Sequence, residues 1–334
     1  MTSTPPYQLD VSVIVLNYNG LRWLEPCLRA TRATLTTSME MIVVDNGSND
    51  GSVEFIRQSF SDARLVPLEQ NVGFAAGNNA GARVSRGRYL AFLNNDCVPQ
   101  PGWLEALKAP FNDDTKVGLT TSKIVYLHDP SVIDSAGDGY LRAGGAFKRL
   151  HGAPSELAGE PGDVFGACGA ACMFRKDVFM DLGGFDEDFF MVYEDVDISY
   201  RARLRGYRCT YVPNAIVHHA GSGTLRRNSA ASVYYGQRNL EWTYLKNTPW
   251  SLLIRSFPSH MLYDGAALLA YGSQGLLGPY LKGKFAALKG IPAILRKRSR
   301  VQSGQLASTR DLWQAMDGNW IRRKRVEKRF DFRK

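Results

Sequence analysis

The first hundred residues alternate between short apolar runs and longer segments in which apolar residues recur at helical spacing. Short β-branched runs predict buried strands, and apolar residues three and four positions apart predict amphipathic helices. The predicted strands are residues 11–16, 41–44, 64–67 and 89–93, and the predicted helices are residues 21–35, 52–60 and 75–84. Strands that alternate with helices predict an α/β fold with a mostly parallel sheet and right-handed crossovers.

The pattern weakens in the middle of the chain. Residues 115–165 are rich in glycine and polar residues, which predicts hairpins and loops. The elements predicted after that are a buried strand at 165–174 with close packing at Gly166 and Gly169, a helix from 193 to about 205 stopped by Gly206, and a last strand at 211–217.

Three polar clusters each follow a predicted strand directly, at residues 17–19, 45–50 and 94–96. Any one of them has an ordinary explanation, because Asn, Asp, Gly and Ser are the usual turn residues. Ligands of open α/β sheets bind at the carboxyl ends of the strands. Three such clusters in one half of the chain therefore predict a single binding crevice.

The glycine-rich phosphate loops of dinucleotide-binding proteins and P-loop enzymes are absent from the sequence. A bound pyrophosphate would therefore need another counter-charge. Mg²⁺ and Mn²⁺ favour carboxylate together with phosphate oxygens. Asp96, at the end of a predicted strand, is the candidate to hold such an ion.

The densest acidic stretch includes Glu194, Asp195 and Asp197, at the start of the predicted helix 193–205. Acidic residues stabilise the first turn of any helix, which is the structural explanation for them. Residues 189–191, two phenylalanines and a methionine, lead straight into these acids. A carboxylate beside apolar walls has a raised pKa and can act as a base.

The composition is that of a globular protein, and the basic charge is confined to one end. The chain has 334 residues and a net charge of +9, and residues 296–334 alone hold 13 basic and four acidic residues, so residues 1–295 are neutral. A nucleic-acid-coating protein would carry its charge throughout the fold. The five cysteines lack metal-site or disulfide spacing and are expected to be free thiols. The first ten residues lack a signal-peptide pattern, so we expect no secretion.

Taken together, the motifs resemble the family 2 inverting glycosyltransferases with the GT-A fold, in particular their rhamnosyltransferase-like branch. The residues that carry the resemblance are VIVLNYNG at 13–20, VVDNGS at 43–48 with DGS at 50–52, NVGFAAGNN at 71–79, LNND at 93–96, GGFD at 183–186 and EDVD at 194–197. The match covers roughly residues 10–240. It implies a Rossmann-like sheet with helices on both faces and a C-terminal helical extension.

The resemblance also implies roles for individual residues. Asp195 matches the family's general base, with Glu194 beside it, and Asp96 with His218 would hold Mn²⁺ or Mg²⁺, His219 being the second choice. Asn94 stands where the family's D-x-D motif has its first aspartate, so Asp96 would carry more of the metal. The positions expected to bind the donor are Asn17, Tyr18, Asn19, Asp45, Asn46, Gly73, Asn78, Asn94 and Asn95, and those expected on the acceptor side are Gly169, Phe185, Asp186 and Asp197. Arg238 and Asn239 resemble a further motif of this branch whose role is unclear.

The expected organisation has four parts. They are a flexible N-terminus at 1–9, a catalytic domain at 10–240 with a nucleotide-binding half (10–115) and an acceptor half (116–240), a helical region at 241–295, and a basic tail at 296–334. The helical region either packs on the catalytic domain or lies on a membrane. A basic tail is attracted to anionic headgroups. We therefore expect a cytoplasmic enzyme, peripheral on the inner face of the cell membrane.

The expected reaction is metal-assisted, inverting transfer of a sugar from a nucleoside-diphosphate donor to a glycan or lipid-linked glycan hydroxyl. The rhamnosyltransferase-like character favours dTDP-rhamnose, with a UDP-hexose or UDP-galactofuranose as alternatives. A sugar-nucleotide nucleotidyltransferase would need a basic, glycine-rich loop near the N-terminus, which is missing. A nucleic-acid-binding protein would need aromatic residues interleaved with basic residues, whereas the excess of basic residues in this chain lies in the C-terminal tail, apart from the fold.

Overall fold

A computed structural model describes residues 7–221 and 229–323. The strands are β1 Leu9–Asn17, β2 Met39–Asp45, β3 Arg64–Pro67, β4 Gly87–Asn94, β5 Cys97–Pro99, β6 Val117–Tyr126, β7 Ile133–Ser135, β8 Asp138–Tyr140, β9 Ala146–Lys148, β10 Gly162–Val164, β11 Ala171–Arg175 and β12 Arg208–His219. The helices are α1 Leu21–Ala33, α2 Ser52–Ser59, α3 Gly73–Val84, α4 Trp103–Lys108, α5 Pro110–Asp113, α6 Lys176–Asp181, α7 Glu194–Leu204, α8 Ala230–Asn247, α9 Trp250–Ser273, α10 Leu277–Ser303 and α11 Thr309–Ala315.

The central sheet is mixed and has the strand order β10-β12-β6-β11-β4-β1-β2-β3. Strands β4, β1, β2 and β3 run parallel, β12 runs parallel to β6, and β11 is antiparallel to both of its neighbours. In the parallel part, Asn17 lies opposite Asp45 and Leu16 lies opposite Asn94. The three polar clusters predicted from the sequence therefore meet at one edge of the sheet.

Alternating residues of β1 feed two separate cores. Val13 packs with residues of α1, α2 and α4 on one face, and Ile14 packs with residues of α3, α6 and α7 on the other. Helices thus cover both faces of a mostly parallel sheet, as the resemblance implied. The strands and helices predicted for the first hundred residues are confirmed, with ends that differ by at most two residues.

The prediction of hairpins and loops for residues 115–165 misses the ten-residue strand β6, which lies inside the sheet. Its sequence includes Thr120, Thr121 and Ser122, all fully buried. Hydrogen bonds compensate their burial: Thr120 donates to the carbonyl of Leu107 at 3.0 Å, and Ser122 accepts from the indole of Trp103 at 2.8 Å. Hydrogen-bond partners on α4 make these hydroxyls compatible with a core strand, and the hydrophobic pattern does not show such partners.

The strand predicted at 165–174 is much shorter than expected. Only Ala171–Arg175 forms β11. Gly166 makes an isolated bridge to Asp138 of β8, and the amides of residues 167–169 donate to side chains, which interrupts the strand. The amide of Cys168 donates to the hydroxyl of Thr121 at 3.2 Å, and the amide of Gly169 donates to the carboxylate of Asp195 at 2.9 Å. All five cysteines are buried free thiols.

The C-terminal helices pack against the sheet domain through α8, which contacts α7 and α10. Helix α8 spans the boundary drawn at residue 240, and α10 continues past residue 295 to Ser303. The guanidinium of Arg298 is buried and donates to the carbonyls of Leu245 and Thr248. The basic segment that begins at residue 296 is therefore folded onto the domain at its start. Most of the expected flexible N-terminus and the last eleven residues of the expected tail lie outside the described residues.

Within the described residues, the apolar stretches of the helices are too short or too often interrupted for any of them to span a bilayer.

Candidate active site

A crevice of about 530 Å³ opens at the carboxyl ends of β1, β2 and β4. The crevice has two sides, a strand-end wall and a loop wall. The strand-end wall contains Tyr18, Asn46 and residues 94–96, and the loop wall contains residues 191–195, which connect to the start of α7. Lys148, Gly169 and His219 close the space between the walls.

A hydrogen-bond network across three strand ends fixes the strand-end wall. The amide of Asn17 donates to Asp45 at 2.9 Å, and its oxygen accepts from Asn95 at 2.7 Å. The second oxygen of Asp45 accepts from the backbone amide of Ser48 at 2.9 Å. Asn17 and Asp45 are buried beneath the surface of the crevice, so they orient the wall and leave Tyr18 and Asn95 to face the cavity.

Asn46 joins the strand-end wall to α3. Its amide donates to Asn71 at 3.0 Å and to the carbonyl of Gly73 at 3.2 Å, and its oxygen accepts from the amide of Val72 at 2.9 Å. Gly73 has a φ of +89°, and a Cβ there would lie 2.5 Å from the carbonyl oxygen of Phe190. Glycine is therefore required at this position, where the two walls meet.

Two residues expected to bind the donor lie away from the cavity surface. Asn78 is buried in α3 and donates to the carbonyl of Phe74 at 3.0 Å, one turn earlier in the same helix. Asn19 has a left-handed φ of +47° and bonds to residues 48 and 49 at the edge of the strand ends. Both side chains are engaged in local structure, and neither belongs to the residues that line the crevice.

Asp96 and His219 form a pair that could hold a divalent metal ion. The Nε2 atom of His219 lies 3.2 Å from Oδ1 of Asp96, and its Nδ1 atom lies 2.8 Å from Oδ2 of Asp134. Both Asp134 oxygens accept from Lys148 at 2.9 Å. Burial alone would lower the pKa of His219, but the hydrogen bonds to Asp134 and Asp96 outweigh it and raise that pKa to about 9.

His218 does not face the crevice. Successive residues of a strand point to opposite faces, so on β12 only His219 faces Asp96, whereas His218 points away and its pKa is lowered by burial. The structure thus places His219, the second choice in the sequence analysis, beside Asp96. A carboxylate oxygen and an imidazole nitrogen that converge on a cavity suit Mn²⁺ or Mg²⁺ completed by substrate oxygens.

Asp195 lies on the opposite side of the crevice, at the N-terminus of α7. Its carboxylate accepts from the amide of Gly169 at 2.9 Å and from its neighbour Val196 at 2.8 Å. Burial raises the pKa of Asp195 despite these hydrogen bonds. Glu194 also faces the cavity; burial and the charge of Asp195 raise its pKa well above the ordinary value, and among the described residues its Oε2 atom has no hydrogen-bond partner.

Three residues expected on the acceptor side are structural in this fold. Phe185 packs against Phe92 in the core with ring centroids 5.1 Å apart. Asp186 and Asp197 bind opposite sides of the buried ammonium of Lys246, at 2.5 and 2.8 Å. Asp186 and Asp197 thus tie α7 and the segment before it to α8, and none of the three residues lines the crevice. Gly169, the fourth, does line it.

The segment that the hydrophobic pattern predicted as hairpins supplies three further ionisable groups. Asp134, Asp138 and Lys148 lie on β7, β8 and β9, and Asp138 is paired with Lys148 across the hairpin. A carboxylate oxygen of Asp138, the sulfur of Cys168 and a carboxylate oxygen of Asp195 lie within 4.8 Å of one another. Burial, and then Asp195, raise the pKa of Asp138. The one sequence signal for Asp134, Asp138 and Lys148 is that they are charged residues in a glycine-rich stretch.

The sheet, its helices on both faces and the crevice at the strand ends together define the GT-A class of folds, to which the C-terminal helices are an addition. The solved mannosyltransferase PcManGT from Pyrobaculum calidifontis, in complex with GDP-Man and Mn²⁺, superposes with a TM-score of 0.52. It is 18% identical, and the likeness covers 90% of this chain and 87% of that one.

The sequence places the chain in a family. Residues 12–183, more than half of the chain, match glycosyl transferase family 2, and the chain belongs to that family. Two relatives are the glycosyltransferase AglE of Haloferax volcanii, 41% identical over 31% of this chain, and the pre-mycofactocin glycosyltransferase of Mycobacterium tuberculosis, 32% identical over 69% of it. The chain spans 35% and 47% of the lengths of these two relatives.

Proposed function

We propose that the protein transfers a sugar from a nucleoside-diphosphate sugar to a hydroxyl of a glycan or lipid-linked glycan, with inversion at the anomeric carbon. The observation that carries this proposal is the placement of Asp195, a half-buried carboxylate with a raised pKa, across one crevice from the Asp96–His219 pair. A general base on one wall and a metal site on the other suit a single displacement, in which the acceptor hydroxyl attacks on the side of the base and the diphosphate leaves on the side of the metal site.

In the proposed reaction, Asp195 accepts the proton of the acceptor hydroxyl as its oxygen attacks the anomeric carbon. General-base assistance of this kind contributes typically about 10²–10⁴-fold. Asp96 and His219 would hold Mn²⁺ or Mg²⁺, which neutralises charge on the departing pyrophosphate. A single attack opposite the leaving group, without a covalent protein intermediate, inverts the configuration of the sugar.

The proposed division of labour follows the two walls. The strand-end wall, in residues 10–115, would bind the nucleotide: Tyr18 and Asn95 face the cavity, and Asp45 lies behind them. Residues 116–240 would bind the acceptor through Gly169 and the loop wall. The rhamnosyltransferase-like motifs favour dTDP-rhamnose as the donor, and a UDP-hexose or UDP-galactofuranose is the alternative.

A panel of nucleotide sugars tests this proposal. The protein is incubated with dTDP-rhamnose, UDP-glucose, UDP-galactofuranose and GDP-mannose in the presence of Mn²⁺ or Mg²⁺, and release of nucleoside diphosphate is measured. We expect release from dTDP-rhamnose or one of the UDP sugars, abolished by EDTA. NMR of the product with an accepted glycan reports the anomeric configuration. No release from any donor would refute the transfer, and a product of retained configuration would refute the single displacement.

The proposal includes peripheral contact with an anionic membrane, and the C-terminal helices support it. One face of α9 exposes apolar side chains at helical spacing along its length: Trp250, Ile254, Phe257, Met261 and Leu268. Helix α10 exposes a second apolar row: Leu277, Leu281, Phe285, Leu288 and Leu295. Exposed rows this long mark an interaction surface on a folded protein.

The bases beside the apolar row of α10 indicate the partner. Lys282, Lys289 and Arg296 each follow a residue of the row, which places them about 100° further around the helix. All three are exposed, and none is in an ion pair with the described residues. An apolar face bordered by bases is the pattern of helices that lie in the headgroup region of anionic bilayers.

Vesicle sedimentation tests this contact. We expect the protein to sediment with vesicles that contain phosphatidylglycerol and to remain in the supernatant with phosphatidylcholine alone. Reversal of charge at Lys289 and Arg296 to glutamate should abolish sedimentation. The matched control reverses Arg57 on α2 and Lys116 in the turn before β6, two exposed basic residues away from α9 and α10, and should sediment normally. Equal sedimentation of both double variants would refute the assigned surface.

A further inference from the structure

The loop wall has an unusual backbone. Phe190, Val192 and Tyr193 have φ values of +62°, +65° and +77°, although none of them is glycine. Left-handed backbone costs an ordinary residue roughly 1–2 kcal/mol, and a β-branched residue such as Val192 adopts it rarely. Three such residues within four positions require compensating contacts from the surrounding structure. These residues lie immediately before Glu194 and Asp195.

The compensation comes from two consecutive residues of α8. The side-chain amide of Asn239, fully buried, points at three carbonyl oxygens of the loop: those of Phe189 at 3.0 Å, Met191 at 2.8 Å and Val192 at 2.7 Å. Arg238 donates to the carbonyls of Asp188 at 2.8 Å and Phe189 at 2.9 Å. Carbonyls turned out of regular structure by the left-handed residues thus find their donors on one helix.

Arg238 and Asn239 are themselves held in place. The Nε atom of Arg238 donates to the side-chain oxygen of Asn239 at 2.9 Å, which fixes the orientation of that amide. The guanidinium of Arg238 lies 4.9 Å from the ring centre of Tyr235 and 4.2 Å from that of Trp242, both on α8. The pair therefore presents a preformed set of donors to the loop.

The other side of the loop is anchored to the strand-end wall. The carbonyl of Phe190 accepts from the amide of Phe74 at 2.6 Å, at the start of α3, and the ring of Phe190 stacks on Tyr235 with centroids 5.2 Å apart. The loop thus bridges α3 and α8 while Met191, Val192 and Tyr193 face the crevice. A change in its conformation would move the first residues of α7, which include Asp195.

We infer that Arg238 and Asn239 are positioning residues: they hold the loop wall in its left-handed conformation and thereby place Asp195 against the acceptor hydroxyl. This inference rests on the proposed role of Asp195 as the base. A displacement of about 1 Å at a reacting group can cost about 100-fold in rate, so a loop released from α8 should slow the transfer step. Binding of the nucleotide to the strand-end wall should change little.

Helix α8 provides a matched control for the test. Asn247 is also fully buried on α8, but its amide donates to the side chain of Asp197 on α7 at 2.8 Å and does not contact the loop. Asn239→Ala and Asn247→Ala each remove one buried amide from the same helix. Both should lower the melting temperature, so that a loss of stability alone cannot separate them.

The experiment compares kcat, nucleoside-diphosphate affinity and hydrogen exchange for the two variants, with kcat normalised to the folded fraction. We expect kcat to fall about 100-fold in Asn239→Ala and less than threefold in Asn247→Ala. Exchange of the amides at 189–193 should rise only in Asn239→Ala, and affinity for the Mn²⁺ complex of the nucleoside diphosphate should be unchanged in both.

Equal loss of kcat in the two variants, or unchanged exchange at 189–193 in Asn239→Ala, would overturn the inference. Arg238→Met provides a second variant if Asn239→Ala does not fold, with the same expected rise in exchange at 189–193. Hydrogen exchange does not depend on the donor or on turnover. If the protein shows no sugar transfer but exchange at 189–193 still rises in these variants, the proposed function is refuted. The role of α8 in holding the loop then stands.

Discussion

The two walls of the crevice are built by different means. In the strand-end wall, Asn17, Asp45 and Asn95 each come at or just after the end of a strand and hydrogen-bond to one another. In the loop wall, strained residues are held by Asn239, about fifty positions later in the chain. The first wall follows from parallel strands that end together, whereas the second exists only when α8 is docked. We therefore expect the first wall to tolerate disturbance of the C-terminal helices and the second to depend on them.

The largest expected effect is that of Asp195→Asn on the loop wall. Asparagine keeps the shape of the side chain but cannot accept the acceptor proton, so we expect kcat for transfer to fall about 10²–10⁴-fold. Nucleoside-diphosphate affinity, measured by calorimetry, should remain unchanged because it depends on the other wall. Asp113→Asn, an exposed control on α5, should leave both quantities unchanged. Undiminished transfer by Asp195→Asn would refute the role of Asp195 as the general base.

Lys246→Met tests how strongly the loop wall depends on α8. The change removes the ammonium that Asp186 and Asp197 share, but Asp186 keeps Lys297 and Asp197 keeps Arg201. We therefore expect a loss of about 3 kcal/mol, the lower end of the cost of breaking a buried pair. Urea unfolding measures this loss. Lys297 binds the same Asp186, but its side chain is 32% exposed, and Lys297→Met should cost less than about 1 kcal/mol by comparison with surface pairs. Equal losses would show that burial of Lys246 is unimportant.

Asp134→Asn tests whether Asp134 supports the Asp96–His219 pair, the proposed metal site. Asp134 fixes the ring of His219 through Nδ1 and so presents Nε2 to the crevice. Loss of a partner of this kind typically weakens metal binding by about 10–100-fold, measured here as Mn²⁺ affinity by calorimetry. Asp138→Asn changes a buried carboxylate on the adjacent hairpin that does not bond to His219, and it should retain full affinity. Equal affinities in the two variants would contradict the role of Asp134.

The smallest expected effect is on the pH dependence of kcat/KM. The base must be ionised, and burial raises the pKa of Asp195. Activity should therefore fall tenfold per pH unit on the acid side, beginning at a higher pH than an ordinary aspartate with a pKa of about 3.9 would give. The pKa of Glu194 is itself raised well above its ordinary value, so this side chain is uncharged where Asp195 titrates, and Glu194→Gln should leave the limb in place. A limb at the position of an ordinary aspartate would contradict the assignment.

Predictability from sequence differed between the regions for a physical reason. Strands β1, β2 and β4 were predictable because each contains a run of apolar residues buried on both faces, and β3 is a shorter, half-buried edge strand. Strand β6 was not predictable, because Thr120 and Ser122 are buried together with hydrogen-bond partners on α4. Asp96 was predictable as a polar residue that follows a strand, whereas the resemblance to family 2 glycosyltransferases singled out Asp195 among the acids at 194–197. Asp134, Asp138 and Lys148 were not predictable, because neither β7 nor the β8–β9 hairpin carries a periodic signal.

The sequence by itself determined the α/β class, the meeting of three polar clusters at one sheet edge, and the candidate base and metal carboxylates. These features follow from local patterns and from the geometry of parallel strands. Only the tertiary structure decided that His219 faces Asp96, that Phe185, Asp186 and Asp197 are structural, and that the start of the basic segment is folded onto the domain. Each of these depends on side-chain direction or on contacts between residues far apart in the chain, which local sequence does not encode.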